Sequence, residues 1–469
     1  MTAWIVNPFD NLPLEGNRPQ RYWLLARAFA RAGHDVTLWT SDFSHARKAK
    51  RVLRGLDGGE RKLGRRGTRW SSGETPDFRV VLVETPVYRA NIGLRRIWSH
   101  RAFARRWREL AGGEPPPDVL VTSLPPLALG QAAGAARAAR TFWIVDVMDA
   151  WPETFERIVP RALLAPLRGV ARRIYCGADA VTAVAERYVE LARTYGATCP
   201  TRVFHHGIER VDAAPAPVRT DRAFRLAYAG NMGASYDLAT VVEAVKGLDG
   251  VALDLAGSGP DEAALRARAA GCTRIRFHGY LGDRALREML AACDAAVIPM
   301  FDASCVGVPY KIADYAAAGL PILNTLHDET ARLLRDYGAG VSYPAGDVAA
   351  LRTAVGAWRA CVRTPAWERL RDGARRLAAA FDAHEVYGGY VAWVEGLRAK
   401  RVYCGRCENS GCSLSSRGSW GWWRIRRSWG RRIWPRSCCA STSASRCGAG
   451  ARRRWASGRS GSCRFSRSW

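Results

Sequence analysis

Short apolar runs alternate with amphipathic stretches along most of the chain. In the first half, the runs predict strands at 3–7, 35–40, 79–84, 118–122, 142–147, 179–183 and 201–204. Helical periodicity fills most of the gaps. One example is Tyr22 to Ala32, which stops at Gly33, a residue suited to end a helix. In the second half, strands are predicted at 224–229, 251–256, 274–278, 294–299 and 320–324. Helices are predicted at about 237–248, 260–270, 284–292, 311–318 and 329–337. Such alternation implies an α/β fold with parallel sheets covered by helices on both faces. Roughly 380 residues of it exceed what one sheet and its core accommodate. The expectation is therefore two doubly wound, Rossmann-like domains, at 1–210 and 223–383, joined by a linker at 211–222. Val211-Asp-Ala-Ala-Pro-Ala-Pro-Val218 is the Pro/Ala-rich part of that linker. Ligands of open parallel sheets bind beyond the carboxyl ends of the strands, so a cleft between the domains is the expected site.

Composition changes this picture at one end. The chain has 469 residues, 48% hydrophobic and 24% charged, which excludes a mostly disordered protein. Its 71 basic and 43 acidic residues give +28, a balance that suits polyanionic partners. Residues 401–469 carry 16 Arg, no Lys, no Asp and one acid, Glu408. They also hold 7 of the 13 Cys and 7 of the 18 Trp. Sixty-one of these 69 residues belong to eight types (Arg, Ser, Trp, Cys, Gly, Ala, Pro, Thr) that can be encoded with G or C at the second codon position. That is the signature of a GC-rich gene translated out of frame, and a disordered, non-globular tail is expected. The competing reading is an Arg/Trp-rich arm for nucleic acid or membrane. Cys404 and Cys407 make half of a zinc site, with no second pair at structural spacing. No metal site and no cofactor are expected. The body has six scattered Cys, no leader pattern and no apolar run long enough to span a bilayer. A reduced, cytoplasmic setting is the expectation.

Several turns carry candidate chemistry. Leu226-Ala-Tyr-Ala229 runs into Gly230-Asn-Met-Gly233 and then a helix, and Gly257-Ser-Gly259 follows the next strand. Glycine turns between strand and helix let backbone N–H groups approach a phosphate, though a tight turn alone reads the same way. In Val306-Gly-Val-Pro-Tyr-Lys-Ile-Ala-Asp314, Lys311 falls in the first turn of a helix, where a cation opposes the helix dipole. It fits there if it shares an anion with the helix end. Asp314 lies on the same face and could accept hydrogen bonds from ribose hydroxyls, or the two could be an ordinary surface pair.

As an ensemble these segments resemble the GT-B glycosyltransferases of family 4. The resemblance rests on Tyr228-Ala-Gly-Asn-Met-Gly233, Leu255-Ala-Gly-Ser-Gly-Pro260, Phe277-His-Gly-Tyr-Leu281, Ala292-Cys-Asp-Ala-Ala-Val-Ile-Pro299 and Pro309 to Pro321. Gly177 to Ala185 and His205-His-Gly-Ile-Glu209 extend it upstream, so that it covers about residues 1–400. It implies two Rossmann-like domains facing across a cleft, and a helix at 384–400 that crosses back onto the first. It also implies retaining, metal-independent transfer of a sugar from a nucleotide-sugar, with UDP the commonest nucleotide. Gly279, Tyr280 and Leu281 would flank the base and Asp314 would hold the ribose. Gly230, Asn231, Met232, Gly233, Gly307 and Lys311 would surround the diphosphate, with Lys311 stabilising the departing charge.

This sequence departs from the family pattern in places. Val306 stands where the first of two acidic residues is common, with Asp302 and Ser304 nearby. No Arg follows the first Gly turn, which leaves Lys311 as the main cation. Asp149, before Trp-Pro-Glu153, is the candidate carboxylate facing the reacting sugar, or else a turn cap. His34 reads as a turn residue. Gly16, Asn17 and Arg18, in the loop after the first strand, are candidate acceptor or phosphate contacts. Arg47 to Arg69 is strongly basic, and Arg89 to Leu110 interleaves seven Arg with Ile92, Leu94, Ile97, Trp98, Phe103 and Trp107. Such a helix suits an anionic membrane surface or, with its aromatics turned inward, an ordinary core. The expected partners are a nucleotide-sugar, a polyprenyl-diphosphate-linked or other lipid-linked acceptor, and the inner face of the cell membrane; no nucleic acid is expected. Two alternatives stay open: a nucleic-acid-binding protein using the Arg/Trp segments, and an inactive glycosyltransferase-like protein.

Overall fold

The computed structural model describes residues 1–409 apart from 16–17, 55–59, 63–67, 72–77, 91–92, 157, 210–222 and 302–303. Gly16, Asn17, Ile92, Asp302, the 211–218 linker segment and the tail from 410 lie outside the described residues. The Trp residues of the proposed nucleic-acid arm lie there too.

The first lobe contains β1 (Thr2–Val6), α1 (Arg21–Arg31), β2 (Asp35–Ser41), β3 (Phe43–Ser44), β4 (Ala49–Lys50), β5 (Val52–Arg54), β6 (Glu60–Lys62), β7 (Thr68–Ser71) and β8 (Arg79–Val83). It continues with α2 (Leu94–Ala111), β9 (Val119–Leu124), α3 (Leu127–Ala136), β10 (Phe142–Val147), α4 (Ala165–Gly177), β11 (Ala180–Ala183), α5 (Glu186–Thr194) and β12 (Thr201–Val203). Eight strands form one sheet in the order β12-β11-β10-β9-β1-β2-β8-β7. All neighbours run parallel except β7, which pairs antiparallel to β8. The basic stretch after β2 also makes two small antiparallel pairs, β3 with β4 and β5 with β6.

The second lobe contains β13 (Phe224–Ala229), α6 (Leu238–Lys246), β14 (Val251–Ala256), α7 (Glu262–Arg268), β15 (Ile275–Gly279), α8 (Asp283–Ala291) and β16 (Ala295–Ile298). It continues with α9 (Lys311–Ala317), β17 (Ile322–Asn324), α10 (Glu329–Tyr337), β18 (Gly340–Ser342), α11 (Val348–Cys361) and α12 (Pro365–Ala380). Its all-parallel sheet has the order β15-β14-β13-β16-β17-β18. Central strands such as β9, β10, β13 and β14 are buried at every position. That is why they read as continuous apolar runs: helices cover both faces of a parallel sheet. Side-chain caps fix helix starts, as where Asp347 accepts from Ala350 N at 2.8 Å.

Strand order reverses beside β1 in the first sheet and beside β13 in the second. Those reversal points open a crevice at the strands' carboxyl ends. The chain then returns: α13 (Ala383–Asn409) packs against α1, with Tyr390 reaching Thr182 at 3.1 Å and Arg398 reaching Asp118 at 3.2 Å. This helix runs past residue 400. Arg401 to Asn409, expected in the tail, are therefore helical, and Arg401 lies 3.1 Å from Asp179. Below the crevice, Arg21 and Asp146 form a fully buried two-point ion pair, both bonds 2.8 Å. Arg21 also donates to the carbonyl of Phe204 at 2.8 Å, and Thr182 donates to Asp146 at 2.7 Å.

Candidate functional site

A cleft of about 760 Å³ lies between the lobes. Asp149, Gly230, Asn231, Tyr280, Leu281, Lys311 and Asp314 all line it, although the loops that carry them are far apart in sequence. The two Gly turns build one wall together. A side chain on Gly257 would lie 1.9 Å from the carbonyl oxygen of Gly230, and one on Gly259 would lie 2.1 Å from that of Met232. Gly257 also has φ +117, so only glycine fits this close approach of two backbones. Each turn is a weak signal alone; the structure makes them a single interlocked unit.

Lys311 is the first residue of α9 and only 8% exposed. Its Nζ stands over the rings of Tyr228 and Tyr236, 4.2 and 4.0 Å from their centroids. It has no hydrogen-bond partner among the described residues. Burial pulls the ammonium from 10.5 down to about 7, against the pull of Asp314 one turn on. Gly230 leaves the room this requires, since a side chain there would lie 3.1 Å from Nζ. A buried cation held by ring faces, on a residue that lines the cleft, is short of an anion.

Asp314 is already occupied from the other lobe. Arg18 donates to both carboxylate oxygens, at 2.5 and 3.3 Å, and its guanidinium lies over the Tyr310 ring. Asp283 is a further 3.8 Å contact of Arg18. Arg18 thus faces the second lobe's ligand wall, a pairing that no local sequence pattern signals.

Asp149 follows β10 and is both turn cap and cleft residue. Its carboxylate accepts from Ala150 N at 2.8 Å, Thr154 Oγ1 at 3.1 Å and Trp151 Nε1 at 3.2 Å. Burial nonetheless raises its pKa above the ordinary value. A smaller hollow of about 180 Å³ adjoins it, lined by Asn7, Asp10, Gln20 and His206 among others. Burial pushes Asp10 up to about 7 and His206 down to about 3.

Other expected site residues sit elsewhere. Met232 is fully buried in the second lobe, bonded by its backbone to Ser258 and Asp261. Gly233 is buried behind Asn231 and Pro260. Gly279 ends β15 at φ +66 and receives Gly257 N at 2.6 Å, so it supports the Gly wall from behind. Gly307 lies where the lobes touch: a side chain there would fall 2.4 Å from the Cβ of Ala185. Beside it, Glu329 of α10 accepts from Glu186 N at 2.6 Å, capping α5 across the lobes, and His205 lies 3.5 Å from Glu329. Burial raises Glu329 to about 7. His34 occupies the turn expected of it, 3.0 Å from Glu395 of α13. The basic helix α2 divides its apolar residues: Phe103 and Trp107 are core residues, whereas Leu94, Ile97 and Trp98 are exposed.

Both lobes match known protein families. Residues 19–207 match the glycosyl transferase 4-like domain, and residues 223–358 match the glycosyl transferases group 1 model. A phosphatidyl-myo-inositol mannosyltransferase of Mycobacterium leprae is 34% identical over 108 residues, which are 23% of this chain and 28% of that protein. The match thus spans well under half of that relative. Sucrose-phosphate synthase from Thermosynechococcus elongatus has a similar fold, with TM-score 0.65, 15% identity, and coverage of 85% of this chain and 100% of that one. The Anabaena HepE protein in complex with UDP-glucose gives 0.55, 13%, 84% and 99%. The catalytic domain of starch synthase IV from Arabidopsis thaliana, bound to ADP and acarbose, gives 0.58, 12%, 86% and 99%. With each lobe matched in turn and the two-lobed architecture shared, the chain belongs to the family 4 glycosyltransferases of the GT-B fold.

Proposed function

We propose that this protein is a hexosyltransferase that moves a sugar from a nucleotide-sugar, UDP-linked in the first instance, to a lipid-linked saccharide. The observation that carries this reading is Lys311, a buried ammonium without a hydrogen-bonding anion at the start of a helix in the cleft. A diphosphate would supply that anion and meet the helix N-terminus as well. In the transfer, the bond from the anomeric carbon to the diphosphate oxygen breaks, the acceptor hydroxyl oxygen bonds that carbon in its place, and the hydroxyl proton passes to the departing diphosphate oxygen. The charge growing on the departing diphosphate falls beside Lys311 and the Gly230–Gly257 wall, where preorganised donors act most strongly. Asp149 faces the reacting sugar, Asp314 takes the ribose, and Tyr280, 81% exposed at the cleft mouth, lies beside the base with Leu281. Arg18 serves the diphosphate or the acceptor. The transfer is retaining and metal-independent, as the family resemblance implies.

The acceptor reading, a polyprenyl-diphosphate-linked or other lipid-linked saccharide of cell-surface polysaccharide or lipopolysaccharide synthesis, draws on the first lobe. Exposed Leu94, Ile97 and Trp98 stand among Arg95, Arg101 and Arg105 at the start of α2. That pattern suits peripheral attachment to an anionic cytoplasmic leaflet. No described helix is long and apolar enough to cross a membrane. The test is calorimetric titration of the full chain with UDP and GDP, with Lys311→Ala as control and a cooperative melt as proof of folding. Saturable UDP binding that the variant loses supports the reading. GDP binding alone changes the donor, and no binding by folded protein overturns the donor site.

A further inference from the structure

The first lobe carries an apolar ledge that no role above uses. It is the segment Ile158-Val-Pro-Arg-Ala-Leu-Leu-Ala-Pro-Leu167, which has one charge in ten residues. Leu164 is buried, but Ile158 is 57% exposed and Leu163 69%, with Leu167 partly exposed beside them. Apolar patches of this kind on a soluble surface mark contact sites.

Its position is set by the sheet. The ledge follows the carboxyl end of β10, and α2 begins after the carboxyl end of β8. In a parallel sheet those ends share one edge, the same edge that opens into the cleft. Side chains connect the two places. The Arg96 guanidinium lies 5.3 Å over the Trp151 ring, Trp151 stacks edge-on with Phe155 at 4.6 Å, and Ile158 follows. The exposed start of α2 and the ledge are therefore neighbours along one rim. The charge around them has one dominant sign: Arg95 and Arg101 on α2 and Arg172 and Arg173 on α4 are exposed, while Glu156 is engaged by Arg161.

We propose that the 158–167 ledge is a second membrane anchor, inserting together with the first turn of α2 into an anionic bilayer, so that the cleft opens onto the lipid surface. Exposed aliphatic side chains, a Trp on the same rim and a fringe of Arg are the chemistry of an interfacial segment. The inference rests on the lipid-linked acceptor reading, but its test does not depend on nucleotide binding.

The basic tail will bind anionic vesicles regardless, so the readout must be local. Amide hydrogen exchange of the full chain is followed with vesicles of equimolar phosphatidylglycerol and phosphatidylcholine, and with phosphatidylcholine alone. Arg96 N and Ile97 N already donate to the carbonyl of Gly93, so the amides of Leu94 and Arg95, ahead of the first helical bonds, report on this rim most directly. Exchange across 158–168 and 94–101 should slow together, and only with the anionic vesicles. Leu163→Asp should remove that protection at both segments by roughly tenfold, the scale of losing one buried aliphatic side chain. Ile158→Asp should do the same, each variant checked by its melt and its UDP titration. Slowing confined to α2 or to residues after 410, or present without vesicles through self-association, overturns the proposal. Protection of the ledge in a protein that binds no nucleotide would leave the anchor standing and remove the donor reading.

Discussion

Donor binding should draw a proton onto the protein, and Lys311 sets the amount. The free ammonium sits at about 7 because burial disfavours its charge. The phosphodiester groups of a nucleotide-sugar do not titrate near neutrality, so any proton taken up must go to the protein. A diphosphate against Nζ should return the group toward its ordinary 10.5. At about pH 8 the free site is about one-tenth protonated and the bound site almost fully so, an uptake of about 0.9 proton per donor. The uptake falls to about one half at about pH 7 and about one-tenth at about pH 6. Affinity follows the protonated fraction, so it should weaken roughly tenfold from about pH 6 to about pH 8. The assay is titration calorimetry of the full chain with UDP-glucose, in buffers of differing ionisation enthalpy, where the slope of apparent heat gives the proton count. Saturable binding at about pH 8 with no net uptake would refute the reasoning. So would the same uptake in a Lys311→Met variant that still binds.

Lys311→Met also predicts a stability profile. A lysine whose pKa falls on folding destabilises the native state fully below its folded value and ceases to do so as pH rises to 10.5. The variant should therefore gain on the order of 5 kcal/mol near pH 6, with the gain shrinking toward pH 10, as read by urea unfolding. Arg21→Met should cost about 3–5 kcal/mol, because it strands the buried Asp146, and pairing it with Asp146→Leu should restore most of the loss. Arg18→Ala should tighten uridine binding roughly twofold to fivefold by freeing Asp314, the scale of a partly exposed ion pair, yet weaken UDP binding. Equal changes for both ligands would show that Arg18 does not meet the diphosphate.

How much was legible depends on whether the signal was local. Phe224–Ala229 and Val251–Ala256 could be read because strands buried on both faces are apolar at every position. β18, Gly-Val-Ser at the sheet edge, lacks that signature, and the elements expected from the sequence stop short of α11 and α12. Asp149 could be placed in the cleft from its motif, but not its three local donors. Met232 shows the opposite limit. It shares a motif with cleft-lining Gly230 and Asn231, yet its side chain turns into the core. Arg18 with Asp314, Arg21 with Asp146, and Glu329 with Glu186 are tertiary pairs between distant segments, which no periodicity connects. Pro160 and Pro166 make the ledge read as a loop, so its exposed aliphatic residues carry no periodic signal.

These pairs also bear on how the lobes work together. Glu329 caps α5 across the lobes at one side of the cleft, and Ile208 exchanges backbone bonds with Phe381 and Ala383 where the chain returns to the first lobe. Each contact satisfies backbone amides, the first through the Glu329 carboxylate and the second by backbone pairing. Arg18 to Asp314 is different in kind: two side chains, each partly exposed, spanning the ligand wall itself. A ribose bound at Asp314 would compete with Arg18 for that carboxylate. Because no Arg follows the first Gly turn, the proposed donor site would draw any second cation from another segment. Were Arg18 that cation, it would be free for the diphosphate only after a ribose had taken Asp314, which would make the ligand itself the element that reorganises the cleft for transfer.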